Sequence, residues 1–334
     1  MDLSVQCCPN SDCLDYGKVE AGNIGIHSRK EKWFVCRTCG KTFAATHGTP
    51  LYRRRLDHQL IAWMVSLLAH GCPPEAIMAT FEVDPRTVQE LWVPSGQHDQ
   101  RIHEANIRAG RPDLGQVLMD ELRHKIQGAV LWIAMTMALT THLGLDATVS
   151  LQRDKALIVR LVEKVKAAAL CRLLLLWFDG FSAYISACRQ VFRTPVRTGN
   201  GRPRLVPRPD IHLGQVIKQY ARRRVISVGR RIVRGSASLV ASLLEATQKG
   251  GVEPFIHRAA HRDIPFPVST PGAARPPSGR KESNVLATTY RVETACNFCP
   301  YHDALRVPLY RVYRRKVMGK MTCPASCVYR PQFT

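Results

Sequence analysis

The sequence predicts an α/β protein in which a cysteine-rich module and a short helical segment precede a larger α/β domain. Three features indicate this organisation. Five cysteines lie within the first 39 residues, apolar positions recur at helical spacing between residues 57 and 92, and strand-like and helix-like segments follow from residue 113. The 334 residues, of which 45% are hydrophobic, suffice for two or three domains with a sizeable core.

Residues 1–50 are expected to form a zinc ribbon. The pattern CPNSDC, a gap of 22 residues and the pattern CRTC supply two cysteine pairs, and tetrahedral Zn²⁺ can join two such hairpins that have little core of their own. The expected ligands are Cys8, Cys13, Cys36 and Cys39, with Cys7 as an alternative to Cys8. Because four thiolates leave no open coordination position, this zinc would be structural. Unligated buried thiols are the competing interpretation.

Residues 55–95 are expected to form a helix-turn-helix segment that binds DNA. The first helix has apolar residues at helical spacing, namely Leu60, Ile61, Met64, Leu67 and Leu68. A second helix is expected to begin at Pro73-Pro74, and a third at Asp84 or Pro85. Three polar residues in the first turn of the third helix are the candidates for base contacts: Arg86, Thr87 and Gln89. An ordinary helical hairpin would have the same pattern.

Residues 113–252 have the element order of an RNase H-like fold. Strands are expected over residues 115–122, 129–138 and 144–150, a helix over 155–170, a strand over 173–178, a helix over 181–192, a basic hairpin over 213–233 and a helix over 236–248. In that order the first and fourth strands are neighbours. Two strands explain the apolar stretch 129–145 better than a membrane span does, so no membrane partner is expected.

Asp120 and Asp179 are the candidate catalytic residues. Asp120 follows a run of apolar residues, and Asp179 ends the run LLLLWF, so both carboxylates are expected on buried neighbouring strands. Such a pair can bind Mg²⁺, one ion activating the attacking oxygen and a second stabilising the leaving oxygen. Glu121 alternates to the opposite face of its strand and is expected to be a poor substitute ligand.

The charge of the chain favours a polyanionic partner. The formal net charge is +22, and residues 189–234 contain thirteen lysines and arginines but one acid, Asp210. Arg222, Arg223 and Arg224 are therefore further candidates for DNA contacts. Residues 1–15 contain three aspartates and no apolar segment of the signal-peptide kind, so a cytoplasmic protein is expected.

The chain resembles the IS1-family insertion-sequence transposases, including the branch with a fused zinc ribbon, over roughly residues 7–252. The similar stretches are CPNSDCLDYGK, CRTCGKTF, GTPLYRRR, GRPDLGQVLMDELRHKIQGAVLWIAM, RDKALI, LLLWFDGFSAYISACRQVFRTP, GRPRLV, RRIVRG and ATQKGGV. The resemblance implies a DDE-type transposase that cuts and joins DNA with Mg²⁺. It matches Asp120 and Asp179 to the first two catalytic acids. It also implies that the ribbon and helices bind terminal inverted repeats and that the protein acts as a homo-oligomer on DNA.

The third acid of that family is missing from its expected place. The family has a pattern like NTAYIERLNATFR where this chain reads EPFIHRAAHRDIPFP. A frameshift near Val252 would explain the change, because plausible codons for this stretch can spell SYIERLIATFRSR in another frame. Residues 253–334 are therefore expected to be a disrupted, largely disordered part of the catalytic domain, since six prolines lie between residues 254 and 277. Glu245 and Glu253 are the nearest remaining acids.

Three functions remain open from the sequence. They are a transposase, a DNA-binding protein without catalysis that uses the ribbon and the helix-turn-helix, and a metal-binding structural protein. The two aspartates favour the first, whereas the missing glutamate favours the second as the present activity. Four cysteines near the C-terminus are not expected to form a second zinc site: Cys296, Cys299, Cys323 and Cys327.

Overall fold

The computed structural model describes residues 3 and 6–249, apart from residues 11, 19, 70–71, 105–106, 108–112, 127–128, 140–142, 171–172, 198–200 and 222–223. Beyond residue 249 it describes only residues 289, 301–302 and 307–308. Over these residues the protein is mixed α/β, with six helices and a mixed six-stranded sheet. The expected frameshift and nearly all of the segment 253–334 lie outside the described residues.

The N-terminal module is a small antiparallel sheet with very little apolar core. It consists of β1 (Ile24–Ser28), β2 (Trp33–Cys36) and β3 (Thr42–Ala44), which pair in that order. Besides cysteines, its buried apolar residues are Ile24, Phe34 and Phe43, and the two phenyl ring centroids are 5.8 Å apart. A core of this size needs another source of stability, such as a bound metal ion.

Three helices follow: α1 (His58–Ala69), α2 (Pro74–Phe81) and α3 (Pro85–His103). At the start of α3, Oδ1 of Asp84 accepts a hydrogen bond from the amide of Arg86 at 2.7 Å, and Pro85 occupies the first helical position, where no amide hydrogen is needed. The predicted start of the third helix is therefore confirmed.

Helix α3 continues eight residues past residue 95, the expected end of the helical segment. Most of its second half is buried, including Ser95, Asp99 and Ile102. Nε2 of His103 lies 2.6 Å from the carbonyl oxygen of Leu145, which belongs to the large sheet. Packing against this sheet therefore extends the helix beyond the length that its amphipathic pattern predicts.

The large sheet has the strand order β11-β10-β7-β4-β5-β6. Its strands are β4 (Gln116–Ile126), β5 (Ala129–Ala138), β6 (Gly144–Ser150), β7 (Leu174–Phe178), β10 (Ile211–Ala221) and β11 (Arg224–Arg234). Strand β7 runs parallel to both of its neighbours, β4 and β10, whereas the remaining pairs are antiparallel. The predicted meander 115–150 is thus confirmed, with a first strand that is longer than expected.

Helices cover both faces of this sheet. Helices α4 (Lys155–Ala168) and α5 (Ser182–Val191) cover one face, and α6 (Ala237–Lys249) covers the other. Side chains alternate accordingly along β4: Val117 and Met119 pack with α4 and α5, whereas Leu118 packs with α6.

Sequence reasoning missed one pair of strands, β8 (Arg193–Val196) and β9 (Arg204–Pro207), which form a separate antiparallel hairpin. Both strands are short, mostly exposed and contain proline and arginine, so they have no apolar alternation to reveal them. Two further two-residue strands, β12 (Tyr301–His302) and β13 (Val307–Pro308), pair with each other.

The ring of Trp177 on β7 packs so closely over position 214 on β10 that only glycine fits there. A Cβ atom on Gly214 would lie 2.4 Å from Cζ3 of Trp177, whose ring is buried and whose Nε1 donates to Oε1 of Gln116 at 3.2 Å. We expect Gly214→Ala to lower the free energy of unfolding by about 2 kcal/mol, because the added methyl group displaces a packed ring. Urea unfolding measures this change.

Gly229→Ala is the matched control, since Gly229 lies on the adjacent strand β11 and its Cβ would meet nothing closer than 4.0 Å. It should change stability by less than about 0.5 kcal/mol. Equal stability of the two variants would contradict the close approach at Gly214.

Candidate metal centres

Four cysteine side chains converge in the N-terminal module. The Sγ atoms of Cys8, Cys13, Cys36 and Cys39 all lie within 4.8 Å of one another. The Cys8–Cys39 separation is 3.7 Å and the Cys13–Cys36 separation is 3.8 Å. Four sulfurs bound tetrahedrally at about 2.3 Å from one ion are about 3.8 Å apart. These four cysteines can therefore hold a metal ion, and Cys7, the alternative to Cys8, lies outside the group.

Backbone amides close the turn that carries the second cysteine pair and favour its thiolates. Gly40, with φ of +71°, donates its amide hydrogen to the carbonyl oxygen of Cys36 at 2.8 Å, a left-handed conformation that suits glycine. Burial alone would raise the pKa of Cys36. Interactions with the amides of Cys39 and Thr38 and with the Cys8 thiol outweigh burial and lower that pKa to about 6. A low pKa favours the thiolate, which is the form that binds metal.

The strands that carry Asp120 and Asp179 are neighbours, as predicted. Leu118 on β4 is in register with Trp177 on β7, and two more residues along each chain bring Asp120 beside Asp179. Carboxylate oxygens of Asp120, Asp179 and Glu121 lie within 4.8 Å of one another. These three residues are called the carboxylate centre below. Oxygen ligands of this kind suit Mg²⁺.

The carboxylate centre lies where one strand stops and its two neighbours continue. Strand β7 ends at Phe178, whereas β4 extends to Ile126 and β10 to Ala221. Asp179 therefore leaves the sheet between two longer strands, and Nε2 of Gln215 on β10 donates to its carbonyl oxygen at 3.2 Å. The Asp179 side chain is 33% exposed, so its carboxylate is accessible from solvent.

Glu121 was expected to be a poor substitute ligand because it alternates to the opposite strand face, but its carboxylate lies within 4.8 Å of those of both aspartates. Strand alternation does direct Glu121 towards α5, where its Oε2 accepts a hydrogen bond from Oη of Tyr184 at 2.6 Å. However, Asp179 follows the last residue of its strand, so alternation no longer fixes the direction of its side chain, and the two carboxylates approach each other. Burial raises the pKa of Glu121, and the hydrogen bonds from Tyr184 and Arg153 oppose this rise only in part.

Arg153 is a residue of this centre that sequence reasoning missed. It lies just before α4, and both Nε and Nη2 donate to Oε1 of Glu121, with an Nε–Oε1 distance of 2.6 Å. Its Nη2 is 3.6 Å from Oδ2 of Asp179. Its guanidinium carbon lies 4.2 Å from the ring centroid of Phe181 and 5.2 Å from that of Trp132. A single arginine in a loop carries no periodic pattern, and only its place in the stretch RDKALI marked it.

Among the residues that the structure describes, the remaining acids and cysteines form no further candidate centre. Glu245 on α6 is exposed and lies outside the carboxylate centre. Within the described ranges there is no third group of cysteine, histidine or acidic residues that could hold an ion. Glu253 and the four C-terminal cysteines of the sequence prediction lie outside those ranges.

The candidate base-contact residues lie at the start of α3. Arg86 and Gln89 are exposed and Thr87 is half-buried. Nε of Arg86 donates to Oε1 of Glu90 at 2.9 Å, and Nη1 of Arg54 donates to Oε2 of the same glutamate at 2.6 Å. The predicted contacts of these residues with DNA remain predictions.

The three candidate DNA-contact arginines of the basic hairpin β10–β11 are mostly outside the described structure. Arg222 and Arg223 lie outside the described residues, and Arg224 begins β11 although its side chain is not described.

No model of a known protein family matches the chain, and no curated protein matches it. Within the described ranges, none of the helices has the length and apolar character needed to cross a membrane. Function is therefore inferred from the sequence and from the geometry of the four-cysteine group and the carboxylate centre.

Proposed function

We propose that the chain is a DNA transposase of the DDE type, related to the IS1-family insertion-sequence enzymes. Its catalytic acids are Asp120 and Asp179, and its larger domain is RNase H-like. The observation that carries the proposal is the convergence of two carboxylates, one on β4 and one directly after the adjacent parallel strand β7, next to a meander of three antiparallel strands. The sequence stretches that resemble the family lie around the same residues.

Each part of the carboxylate centre has a proposed role. Asp120 and Asp179 would hold Mg²⁺, which when bound would supply activation of the attacking oxygen and stabilisation of the leaving oxygen at a phosphate. The gap beyond the end of β7 leaves Asp179 open to a DNA strand. Tyr184 and Arg153 fix the buried Glu121 beside the two aspartates.

We propose zinc as the ion of the four-cysteine site, with a structural role. The sulfur separations and the small core of the module support this assignment. The ribbon and the helices α2 and α3 would bind the terminal inverted repeats, and the net charge of +22 would favour both these DNA ends and the target DNA. The protein would act on DNA as a homo-oligomer at the bacterial nucleoid.

A DNA-binding protein without catalysis is the second candidate function. It is favoured by a specific observation, namely that the third carboxylate of the centre is already engaged. Both oxygens of Glu121 accept hydrogen bonds from protein side chains, and Glu245 lies outside the centre. Both candidates require DNA binding, and only the transposase requires metal-dependent cleavage.

DNA binding is expected to weaken steeply as salt increases, because bound lysines and arginines release counterions from phosphates. Fluorescence anisotropy with a duplex of the element's own ends, compared with a scrambled duplex, measures affinity and specificity. We expect Arg86→Ala to weaken binding to the element's ends about tenfold and binding to the scrambled duplex much less.

Arg189→Ala is the control, because it removes the same charge from an exposed position on α5. It should weaken binding to both duplexes alike. Equal effects of the two variants on the element's ends would contradict a reading role for α3, and no DNA binding at low salt would refute both candidate functions.

A further inference from the structure

We infer that Arg153 is a positioning residue of the carboxylate centre, which holds Glu121 as a supporting group and sets the affinity of Asp120 and Asp179 for a divalent cation. The inference rests on the proposed function and deepens it, because it divides the three carboxylates into two ligands and one support.

Glu121 has no oxygen left to offer a cation without breaking a buried contact. Its side chain is 2% exposed. Its Oε2 accepts the Tyr184 hydroxyl at 2.6 Å, and its Oε1 accepts two donors of the Arg153 guanidinium. Removing one partner from a buried charge leaves an uncompensated group, which is costly. Glu121 is therefore the group that anchors Arg153.

Arg153 is fixed by packing as well as by charge. Its guanidinium lies over the ring of Phe181, which follows Asp179 by two residues, and near the ring of Trp132 on β5. The next residue, Asp154, caps α4 by accepting from the amide of Leu157 at 2.9 Å, which fixes the backbone there. The positive charge of Arg153 therefore stays beside the carboxylate centre.

This fixed charge acts on Asp179. Nη2 of Arg153 is 3.6 Å from Oδ2 of Asp179, so a cation bound by that carboxylate lies within a few ångströms of the guanidinium. Like charges at this separation repel, whereas Glu121 offsets part of the guanidinium charge. The affinity of the centre for a divalent cation thus depends on the balance between Arg153 and Glu121.

The test is a titration of the zinc-loaded full chain with Mn²⁺ as the only added cation, with isothermal calorimetry as the measurement. Arg153→Gln should bind Mn²⁺ about tenfold more tightly than the wild type, because the repelling charge is gone. Glu121→Gln should bind it about tenfold more weakly, because the charge of Arg153 is then uncompensated. The double variant replaces the buried ion pair by two neutral amides, so it leaves no unpaired charge that could unfold the protein. Its Mn²⁺ affinity should return to within about threefold of that of the wild type.

Arg160→Gln is the matched control, since Arg160 is an exposed arginine of α4, outside the carboxylate centre, that donates to the carbonyl oxygen of Val149 at 3.2 Å. It should leave Mn²⁺ affinity unchanged, and thermal unfolding of every variant monitors the fold. If Arg153→Gln binds Mn²⁺ as the wild type does, or more weakly, the inference about Arg153 is wrong but the proposed function is unaffected. The same follows from a double variant as weak as Glu121→Gln, because Glu121 would then be a direct ligand. The proposed catalytic site requires that the wild type binds Mn²⁺ and that Asp120→Asn abolishes this binding. If either result is not obtained, the proposed catalytic site is wrong as well.

Discussion

Cys36→Ser is expected to abolish metal binding by the N-terminal module and to unfold that module. Cys36 belongs to the four-cysteine group, and loss of one thiolate breaks a tetrahedral site whose binding free energy is about 10–16 kcal/mol in zinc peptides. The module has few buried apolar residues besides its cysteines, so no core replaces that contribution. Zinc content should fall from one ion per chain to almost none, as measured by elemental analysis of the purified protein.

Cys7→Ser is the matched control for this variant. Cys7 adjoins Cys8 in the chain but is not part of the four-cysteine group. The Cys7→Ser variant should retain zinc and the protection of β1–β3 amides against hydrogen exchange, whereas the Cys36→Ser variant should lose both. Loss of zinc from the Cys7 variant alone would show that the ligand set is wrong.

Asp120→Asn is expected to lower Mg²⁺-dependent DNA cleavage and strand transfer by about a thousandfold, because an amide cannot supply the charge that holds the cation. DNA affinity should stay within about twofold, since the variant removes no positive charge. A strand-transfer assay with labelled element ends, and anisotropy on the same DNA, measure the two effects separately.

Asp113→Asn is the control, because Asp113 is exposed at the start of the same domain and lies outside the carboxylate centre. It should retain full activity, and so should Glu245→Gln. A loss of activity in Glu245→Gln would assign that residue as the third acid. If the wild type binds both DNA and Mn²⁺ but cleaves no DNA, the DNA-binding function without catalysis replaces the transposase.

The sequence predicted those parts of the fold that local patterns encode. Strands β5 and β6 have the predicted bounds, 129–138 and 144–150, because short segments that are mostly apolar or β-branched specify buried strands. The convergence of Cys8, Cys13, Cys36 and Cys39 followed from their spacing. The proximity of Asp120 and Asp179 followed from the order of the strands, which made their two strands neighbours.

Contacts between residues far apart in the chain were not predictable in the same way. The position of Arg153 depends on a carboxylate 32 residues away and on two aromatic rings from separate elements. The approach of Glu121 to Asp179 depends on where β7 stops, whereas the sequence argument assumed regular alternation. The second half of α3 is helical because it packs on the sheet, and its local sequence includes Pro94, which disfavours a helix.

The length of α3 has a further consequence if its first turn reads DNA, as proposed. Its 19 residues span about 28 Å, from the exposed side chains of its first turn to the contact of His103 with the edge strand of the large sheet. In the proposed transposase the length of this helix would fix the distance between the bases that are recognised and the phosphate that is cut. The spacing between the two would then be set by the protein, and a change in helix length would move the cut along the DNA.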